Sequence, residues 1–339
     1  MRVLHVTEAH GGGVQTAISH FAALTPDIRH SVFARSRPGE STVSPSDVDL
    51  RLVSGSMREF FGEARRTIVR ERPDVVHLHS SWAGALRATL PRRTRVAYSP
   101  HCFAFERTDL TSAARRGYRT AERVLATRTA MLVAVSPDEQ EIGRRLRPAM
   151  RTSLISNLAP IDELAVRAYT ATRNVVTVGR IGAQKDPALF AEVARIVSAS
   201  SGISFTWVGD GDPLLRATLE EAGVRVTGWL AAPDVTALLR GHALYLHTAA
   251  WEASPMSLAE AMTAGLPTLC RRIPSLESLG YPCAGPDAAD LAEAVTRYFT
   301  VRGESDALAA ATRATIRGMN DPGLYDDLGD VYRTIGEQP

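Results

Sequence analysis

The stretch Trp251-Glu252-Ala253-Ser254-Pro255-Met256-Ser257-Leu258-Ala259-Glu260-Ala261-Met262-Thr263-Ala264-Gly265-Leu266-Pro267 changes character midway. Ahead of it, Ala243-Leu244-Tyr245-Leu246-His247 is an apolar run of strand length. After Pro255, the residues Met256, Leu258, Ala259, Ala261 and Met262 take up mixed helical spacing. Gly265 followed by Pro267 is a helix stop. The segment therefore predicts strand, loop and helix, with Glu252 in the loop, Pro255 in the first helical turn and Glu260 about two turns in. In an open α/β sheet, the N–H groups and positive dipole end of such a helix are where a phosphate or sugar hydroxyls bind. One carboxylate at the mouth and one deeper suit a ligand carrying both an anion and many hydroxyls. The same pair also reads as a solvated loop glutamate and a surface helix glutamate, and spacing alone favours that plainer reading.

Working outward, short apolar runs alternate with helical stretches, the mark of an α/β chain. One series of strands is predicted at Val3–Thr7, Ser31–Ala34, Leu50–Val53, Val75–His79, Val96–Ser99 and Met131–Val135, with helices such as Val14–Leu24 and Met57–Arg70 between them. A second series is predicted at Val175–Val178, Ser204–Val208, Val224–Thr227, Ala243–His247 and Thr268–Cys270. Between the series lies Ile155 to Pro160 and a polar stretch to Arg173. At 339 residues, two domains of ordinary size are expected. They are doubly wound and face each other across a cleft: residues 1–158, a linker and hinge at 159–173, and residues 174–320. A last helix covers the tail from Pro322 to Glu337, within 321–339.

An apolar share of 45% with 22% charged residues describes a globular chain able to bury sizeable cores. No apolar run reaches the roughly 18 residues of a membrane-crossing helix, and strand-like Val3–Val6 directly after Arg2 does not read as a signal peptide. The three cysteines, Cys102, Cys270 and Cys283, fit neither a disulfide framework nor zinc spacing, so a cytoplasmic location is expected. The net charge of +2 hides an asymmetry. Residues 1–158 carry 24 Arg against 15 acidic residues, a balance of +9; the remainder carries 15 basic and 22 acidic residues, a balance of −7. Arginine clusters such as Arg115-Arg116/Arg119 suit phosphate or an anionic lipid surface, or are simply a solvated face. They lack the aromatic interleaving and motifs of a nucleic-acid binder, so no nucleic acid is expected as a partner.

Four further segments carry chemistry. Glu8-Ala9-His10-Gly11-Gly12-Gly13 follows the first strand and opens the first helix, where glycines permit close backbone approach to a ligand. It lacks the spacing of the dinucleotide fingerprint. Tyr98-Ser99-Pro100-His101 ends another strand, and Ser136-Pro137-Asp138-Glu139 reads as a capping box. Val178-Gly179-Arg180-Ile181-Gly182-Ala183-Gln184-Lys185-Asp186 contains the only lysine among 39 basic residues. An ammonium is a compact charge that fits between phosphate oxygens, whereas a guanidinium presents a planar fork. Arg180 also reads as a surface partner of Asp186. Gly209-Asp210-Gly211-Asp212 follows a strand without reading as a metal site, so no metal site is expected. Trp229, in Val226-Thr227-Gly228-Trp229, reads equally as a buried indole at a strand end.

Taken in order, these segments resemble the retaining glycosyltransferases of family 4, which have the GT-B fold of two Rossmann-like domains. The resemblance rests on the two glutamates eight apart before Ala-Met and Gly-x-Pro, on Gly179-Arg180 with Lys185, on Asp74-x-x-His77-x-His79, on His101 after its strand, and on Gly209-Asp210-Gly211. It runs along nearly the whole chain, departing at Cys270–Glu277, which lacks the glycine pair usual before Pro-x-x-Glu. It implies a metal-independent retaining transfer of a hexosyl unit from a nucleoside-diphosphate sugar, by family frequency a UDP-sugar, to a saccharide or lipid-linked acceptor.

No cofactor is implied beyond that co-substrate. Arg180 and Lys185 would hold the diphosphate, Glu252 the sugar hydroxyls, the amides at Met256 and Ser257 a phosphate, and Glu260 the ribose. Gly179 and Gly209 would line the donor and Trp229 the base. Gly12, Gly13 and His101 would contribute from the first domain, which carries the acceptor and, through its basic surface, a peripheral contact with the inner face of the plasma membrane. In GT-B proteins the last helix often crosses back onto the first domain. The other readings open at this point are a GT-B epimerase or hydrolase and an inactive nucleotide-sugar-binding partner.

Overall fold

The computed structural model of the chain describes residues 1–36, 48–156, 158, 160–167 and 172–337, with the side chain of residue 200 left aside. It divides into two compact units: Met1–Ala159 with Pro322–Pro339, and Pro160–Asp321.

The first unit begins β1 (Arg2–Thr7), α1 (Gly12–Leu24), β2 (Arg29–Arg35), β3 (Asp49–Val53), α2 (Met57–Glu71), β4 (Val75–His79) and α3 (Ser80–Gly84). It continues β5 (Val96–Ser99), α4 (Ser112–Leu125), β6 (Met131–Ala134), α5 (Pro137–Leu146) and β7 (Thr152–Leu154). The strands form one parallel sheet in the order β3-β2-β1-β4-β5-β6-β7. Helices on both faces explain why β4, β5 and β6 are buried at every position. Thr152–Leu154 is a strand that the sequence did not signal, being three residues long with two of them polar.

The second unit runs β8 (Asn174–Val178), α6 (Pro187–Ser201), β9 (Ser204–Val208), α7 (Pro213–Glu221), β10 (Arg225–Val226), α8 (Ala232–Arg240) and β11 (Leu244–His247). It ends α9 (Met256–Thr263), β12 (Thr268–Cys270), α10 (Pro274–Ser278), α11 (Ala288–Thr300) and α12 (Glu304–Met319). Its parallel sheet has the order β10-β9-β8-β11-β12. The core gathers Phe190, Phe205, Trp207, Leu244 and Leu291 between sheet and helices.

Parts of the expected 159–173 linker, residues 159 and 168–171, lie outside the described residues. The rest is pinned to the second unit. Ile161 exchanges hydrogen bonds with the Asn320 side chain at 3.1 and 2.6 Å, Glu163 pairs with Arg317, and the Arg167 amide donates to Gly265 at 2.9 Å. The tail is helical over a shorter span than the sequence suggested: α13 is Leu328–Gly336. Before it, Asp326 bonds Ser153 Oγ at 2.7 Å and the Leu154 amide at 2.9 Å, so this stretch runs along the edge strand β7, and Asp327 caps the helix.

Candidate active site

Both sheets reverse their strand order once, between β1 and β4 and between β8 and β11. In open α/β sheets the carboxyl ends at such a reversal form the ligand crevice.

In the second unit the β8 end leads into Gly179–Lys185 and the β11 end into Thr248–Glu252. Lys185 Nζ lies 2.6 Å from Glu252 Oε1, so an ion pair bridges the reversal, with side chains 19% and 10% exposed. Gln184 Nε2 donates to Glu252 Oε2 at 3.3 Å and to the Trp251 carbonyl at 3.2 Å; the Ala250 amide donates to the Gln184 carbonyl at 2.8 Å. The Thr248 hydroxyl donates to the Lys185 carbonyl at 2.9 Å. Burial opposes the Lys185 ammonium, but Glu252, with Tyr245 and Glu260 behind it, outweighs burial and lifts its pKa. His247 is buried with its Nε2 unbonded, 3.8 Å from Glu252 Oε1; burial, with the Lys185 charge, holds it neutral.

Where the loops meet, glycine is required at Gly209 and gives room at Gly179. A Cβ on Gly179 would stand 3.0 Å from the Lys185 stem, and one on Gly209, at φ +133°, would fall 2.2 Å from the Gly179 carbonyl. That carbonyl also accepts the Trp207 indole N–H at 2.9 Å. The β11 end, beyond Glu252, also leads into α9. Pro255 is its N-cap rather than its first turn and, being proline, offers no capping side chain; Met256 and Ser257 are the first two residues of the helix, at its positive dipole end. Glu260 is consequently only the fifth residue of the helix, just over one turn in, and exposed. Asp186 pairs with Arg271 at 2.8 Å, not with Arg180, which is exposed at the end of β8. Trp229 is 64% exposed, so the buried-indole reading belongs to Trp207 instead.

In the first unit, Gly12 and Gly13 start α1, are exposed and have no capping side chain before them. Across the β1/β4 reversal the Ser80 hydroxyl donates to the buried Glu8 carboxylate at 2.5 Å. Ser80, His101 and Cys102 have φ of +79°, +49° and +80°. Left-handed backbone at three non-glycine residues on neighbouring strand ends is strain of the kind concentrated at functional sites. His101 is held from behind: His79 Nδ1 lies 2.9 Å from His101 Nε2. Burial takes His101 down to about 4.

Ser136 caps α5 as expected, accepting from the Glu139 amide, but the reciprocal half of the capping box is absent. The Glu139 carboxylate turns instead to the amides of Cys102 at 2.8 Å and Val135 at 2.9 Å, bracing the strained turn. Burial raises Glu139 to about 8 and its neighbour Glu106, which accepts from the Phe103 amide at 2.9 Å, to about 7.

The sequence reading passed over Gln184, His247, Glu8, Ser80 and the interior histidines His5 and His30. The signal for the last two was polar residues within otherwise apolar strands. Ring nitrogens of His5, His77 and His79 lie within 4.8 Å of one another, close enough to share a metal. All six nitrogens already meet hydrogen-bonding partners, which accounts for the cluster without one.

The "Glycosyl transferase 4-like domain" family matches residues 12–157, and "Glycosyl transferases group 1" matches residues 172–300. The chain is 27% identical over 235 residues, 61% of its length and 60% of the relative's, to the Escherichia coli UDP-Gal:alpha-D-GlcNAc-diphosphoundecaprenol alpha-1,3-galactosyltransferase. Its fold is similar to that of the sucrose-phosphate synthase of Thermosynechococcus elongatus, with a TM-score of 0.77, 14% identity and 98% of each chain covered. It is also similar to Anabaena HepE in complex with UDP and glucose, with a TM-score of 0.73, 16% identity and 100% of each chain covered. With one family match on each unit, the chain belongs to the group 1, 4-like glycosyltransferases and has their GT-B fold.

Proposed function

We propose that this glycosyltransferase moves a hexosyl unit, with retention and without a metal ion, from a UDP-sugar to a saccharide or lipid-linked acceptor. The observation that carries this reading is the Lys185–Glu252 pair, set at the strand-order reversal beside the N-terminus of α9. Arg180 and Lys185 supply counter-charge to the diphosphate as it leaves, the role a metal plays elsewhere. The amides at Met256 and Ser257 take a phosphate. Once Lys185 turns to the diphosphate, Glu252 is released to sugar hydroxyls, with His247 near enough to hold it. Glu260 accepts from the two ribose hydroxyls, as a carboxylate with two oxygens can, and exposed Trp229 stands by the base. Gly179 and Gly209 give the donor close access to the backbone.

In the first unit, Gly12 and Gly13 offer amides, and neutral His101 positions hydroxyls. The transfer is front-face: the departing diphosphate takes the acceptor proton, and the protein's share is positioning and charge stabilisation. The name of the Escherichia coli relative supports a UDP-linked donor and a diphospholipid acceptor.

The surface of α4 suits such an acceptor. Glu122 is its one buried residue, tied to Arg87 at 2.6 Å and to the Tyr98 hydroxyl at 2.8 Å. Arg115, Arg116, Arg119 and Arg123 are exposed, with Trp82 50% and Val124 63% exposed beside them. Phe105, Ser112, Arg115, Arg116 and Arg119 line a hollow of about 260 Å³. We place the contact with an anionic membrane face here, on the cytoplasmic side.

The test is thermal shift with UDP, GDP, ADP and dTDP in EDTA, followed by transfer to a diphospholipid-linked GlcNAc, with the product anomer read by NMR. Stabilisation by UDP alone and an α-linked product from an α-linked donor are expected. An inverted product, a requirement for added metal, or donor consumption that ignores the acceptor would each overturn the corresponding part.

A further inference from the structure

A row of four histidines crosses the first unit's sheet from strand to strand. It starts at His30 on β2, passes His5 on β1 and His79 on β4, and ends at His101 after β5. His30 Nδ1 is 3.0 Å from His5 Nε2, His5 Nδ1 is 2.9 Å from His79 Nε2, and His79 Nδ1 is 2.9 Å from His101 Nε2. His5, His30 and His79 are buried, and the rings of His30, His5, His79 and His101 stack in sequence at 5.2 Å between centroids.

The direction of the chain can be worked out from its far end. The Thr25 hydroxyl donates its one hydrogen to the Phe21 carbonyl at 2.8 Å, so at its 2.9 Å contact with His30 Nε2 it must accept. His30 Nε2 also faces the Thr25 carbonyl at 3.4 Å, which can only accept. His30 therefore carries its hydrogen on Nε2 and accepts on Nδ1. The same assignment then passes along the row, because each neutral ring has one donor and one acceptor. His5 donates from Nε2 and accepts on Nδ1, His79 does the same, and His101 donates from Nε2. His101 Nδ1 is left as a bare acceptor.

Burial keeps these rings neutral. His5, His77 and His79 lie well below the usual imidazole range, first through burial and then through the neighbouring histidines, which disfavour a second positive charge. The other titratable groups facing the row are Asp27 toward His30, His10 beside His79, and His77 with Tyr332, besides Glu8 at the Ser80 turn. His77 follows the same rule separately: Ser99 donates to the Val133 carbonyl at 2.7 Å, so His77 donates to Ser99 and accepts from Tyr332.

We propose that His30, His5 and His79 are positioning residues that fix the tautomer of His101, presenting its Nδ1 as a hydrogen-bond acceptor for a substrate hydroxyl. The substrate half of this rests on the role given to His101 above; the tautomer half does not.

The experiment uses the full chain labelled with ¹⁵N-histidine, whose long-range ¹H–¹⁵N spectra separate a protonated from a bare ring nitrogen, combined with steady-state kinetics. Wild-type His101, assigned by its loss in His101→Ala, should be protonated at Nε2 and bare at Nδ1. This needs no other variant to fold. His30→Phe removes the acceptor for His5, so His101 should become a tautomer mixture and kcat should fall about 10-fold, the low end of what losing the orienting partner of a metal-binding histidine costs, with donor KM unchanged. His30→Asn places a carbonyl oxygen near the former Nδ1 and should restore both signals. A wild-type His101 protonated at Nδ1, a His30→Phe spectrum identical to wild type, or equal kcat losses in His30→Phe and His30→Asn would overturn the proposal. Transfer at the wild-type rate by His101→Ala would instead refute the role of His101 in the reaction, and the spectra would still decide what the row does.

Discussion

Replacing Lys185 with alanine tests how the second unit is built and what it binds. The change leaves Glu252, 10% exposed at its side chain, without the ammonium 2.6 Å away. Exposed ion pairs are worth about 0.2–1 kcal/mol, and orphaning one member of a fully buried pair costs about 3–5 kcal/mol. With exposures of 19% and 10% this pair falls between those limits, so a loss of about 2 kcal/mol is expected. For a unit of this size, that is a fall in Tm of roughly 4–8 °C. Adding Glu252→Gln removes the orphaned charge and should recover about 1 kcal/mol.

The second readout is ligand binding. UDP at 100 times Kd stabilises the wild type by about 2.7 kcal/mol. If the ammonium contributes about 2.7 kcal/mol to holding the diphosphate, like a single oxyanion donor, the variant's Kd rises about 100-fold. The same UDP concentration then stabilises it by only about 0.4 kcal/mol. Differential scanning fluorimetry in EDTA across wild type, both single variants and the double variant measures all of this. A Lys185→Ala protein that melts with the wild type and keeps its full UDP shift would refute both the energetic reading of the pair and its role in the site.

Lys185 is the only lysine in the chain, so an amine-specific label followed by mass spectrometry should mark one side chain. UDP should slow that labelling while leaving the Met1 amine as an internal control; equal slowing at both sites would point to a general effect. Glu106 accepts through one oxygen, which Glu106→Gln can mimic, and burial holds its carboxyl at about 7 against an ordinary 4.5. Because the folded state then keeps a proton that the unfolded chain releases, this group's contribution is present below pH 4.5 and lost as pH rises through 7. The stability of Glu106→Gln relative to wild type should therefore rise between pH 5 and 8, and urea melts giving a constant difference would contradict the burial argument. Reversing Arg115, Arg116 and Arg119 to glutamate removes roughly 1 kcal/mol of attraction per arginine to an anionic surface. Sedimentation with phosphatidylglycerol vesicles should show binding weakened at least 100-fold; unchanged binding would remove the membrane contact from α4.

Much of this protein could be read in one dimension because parallel strands buried on both faces must be short continuous apolar runs. Val75–His79, Val96–Ser99, Ser204–Val208 and Thr268–Cys270 have the same limits in sequence and structure. Thr152–Leu154 escaped notice because a short, mostly polar edge strand has no such signature, and the tail helix was drawn too long because nothing local reveals that Asp326 bonds β7. The α9 boundary moved for a comparable reason: proline suits N1 and the N-cap alike, and only the backbone at Pro255 shows which applies.

What the sequence determined by itself was the series of elements and the chemistry available at the strand ends: one lysine, two glutamates eight apart, and the glycines whose missing side chains let loops meet. These are local properties of composition and period. Which groups act on one another was decided only by tertiary structure. Strand order places Lys185 against Glu252, 67 residues apart, and gives Asp186 to Arg271 rather than to Arg180. It also sets His30, His5, His79 and His101 side by side although they come from three strands and the turn after a fourth. The physical reason is that a hydrogen bond or ion pair depends on distances of about 3 Å, and in a doubly wound sheet those distances are set by which strands become neighbours, a choice made by the packing of the whole unit.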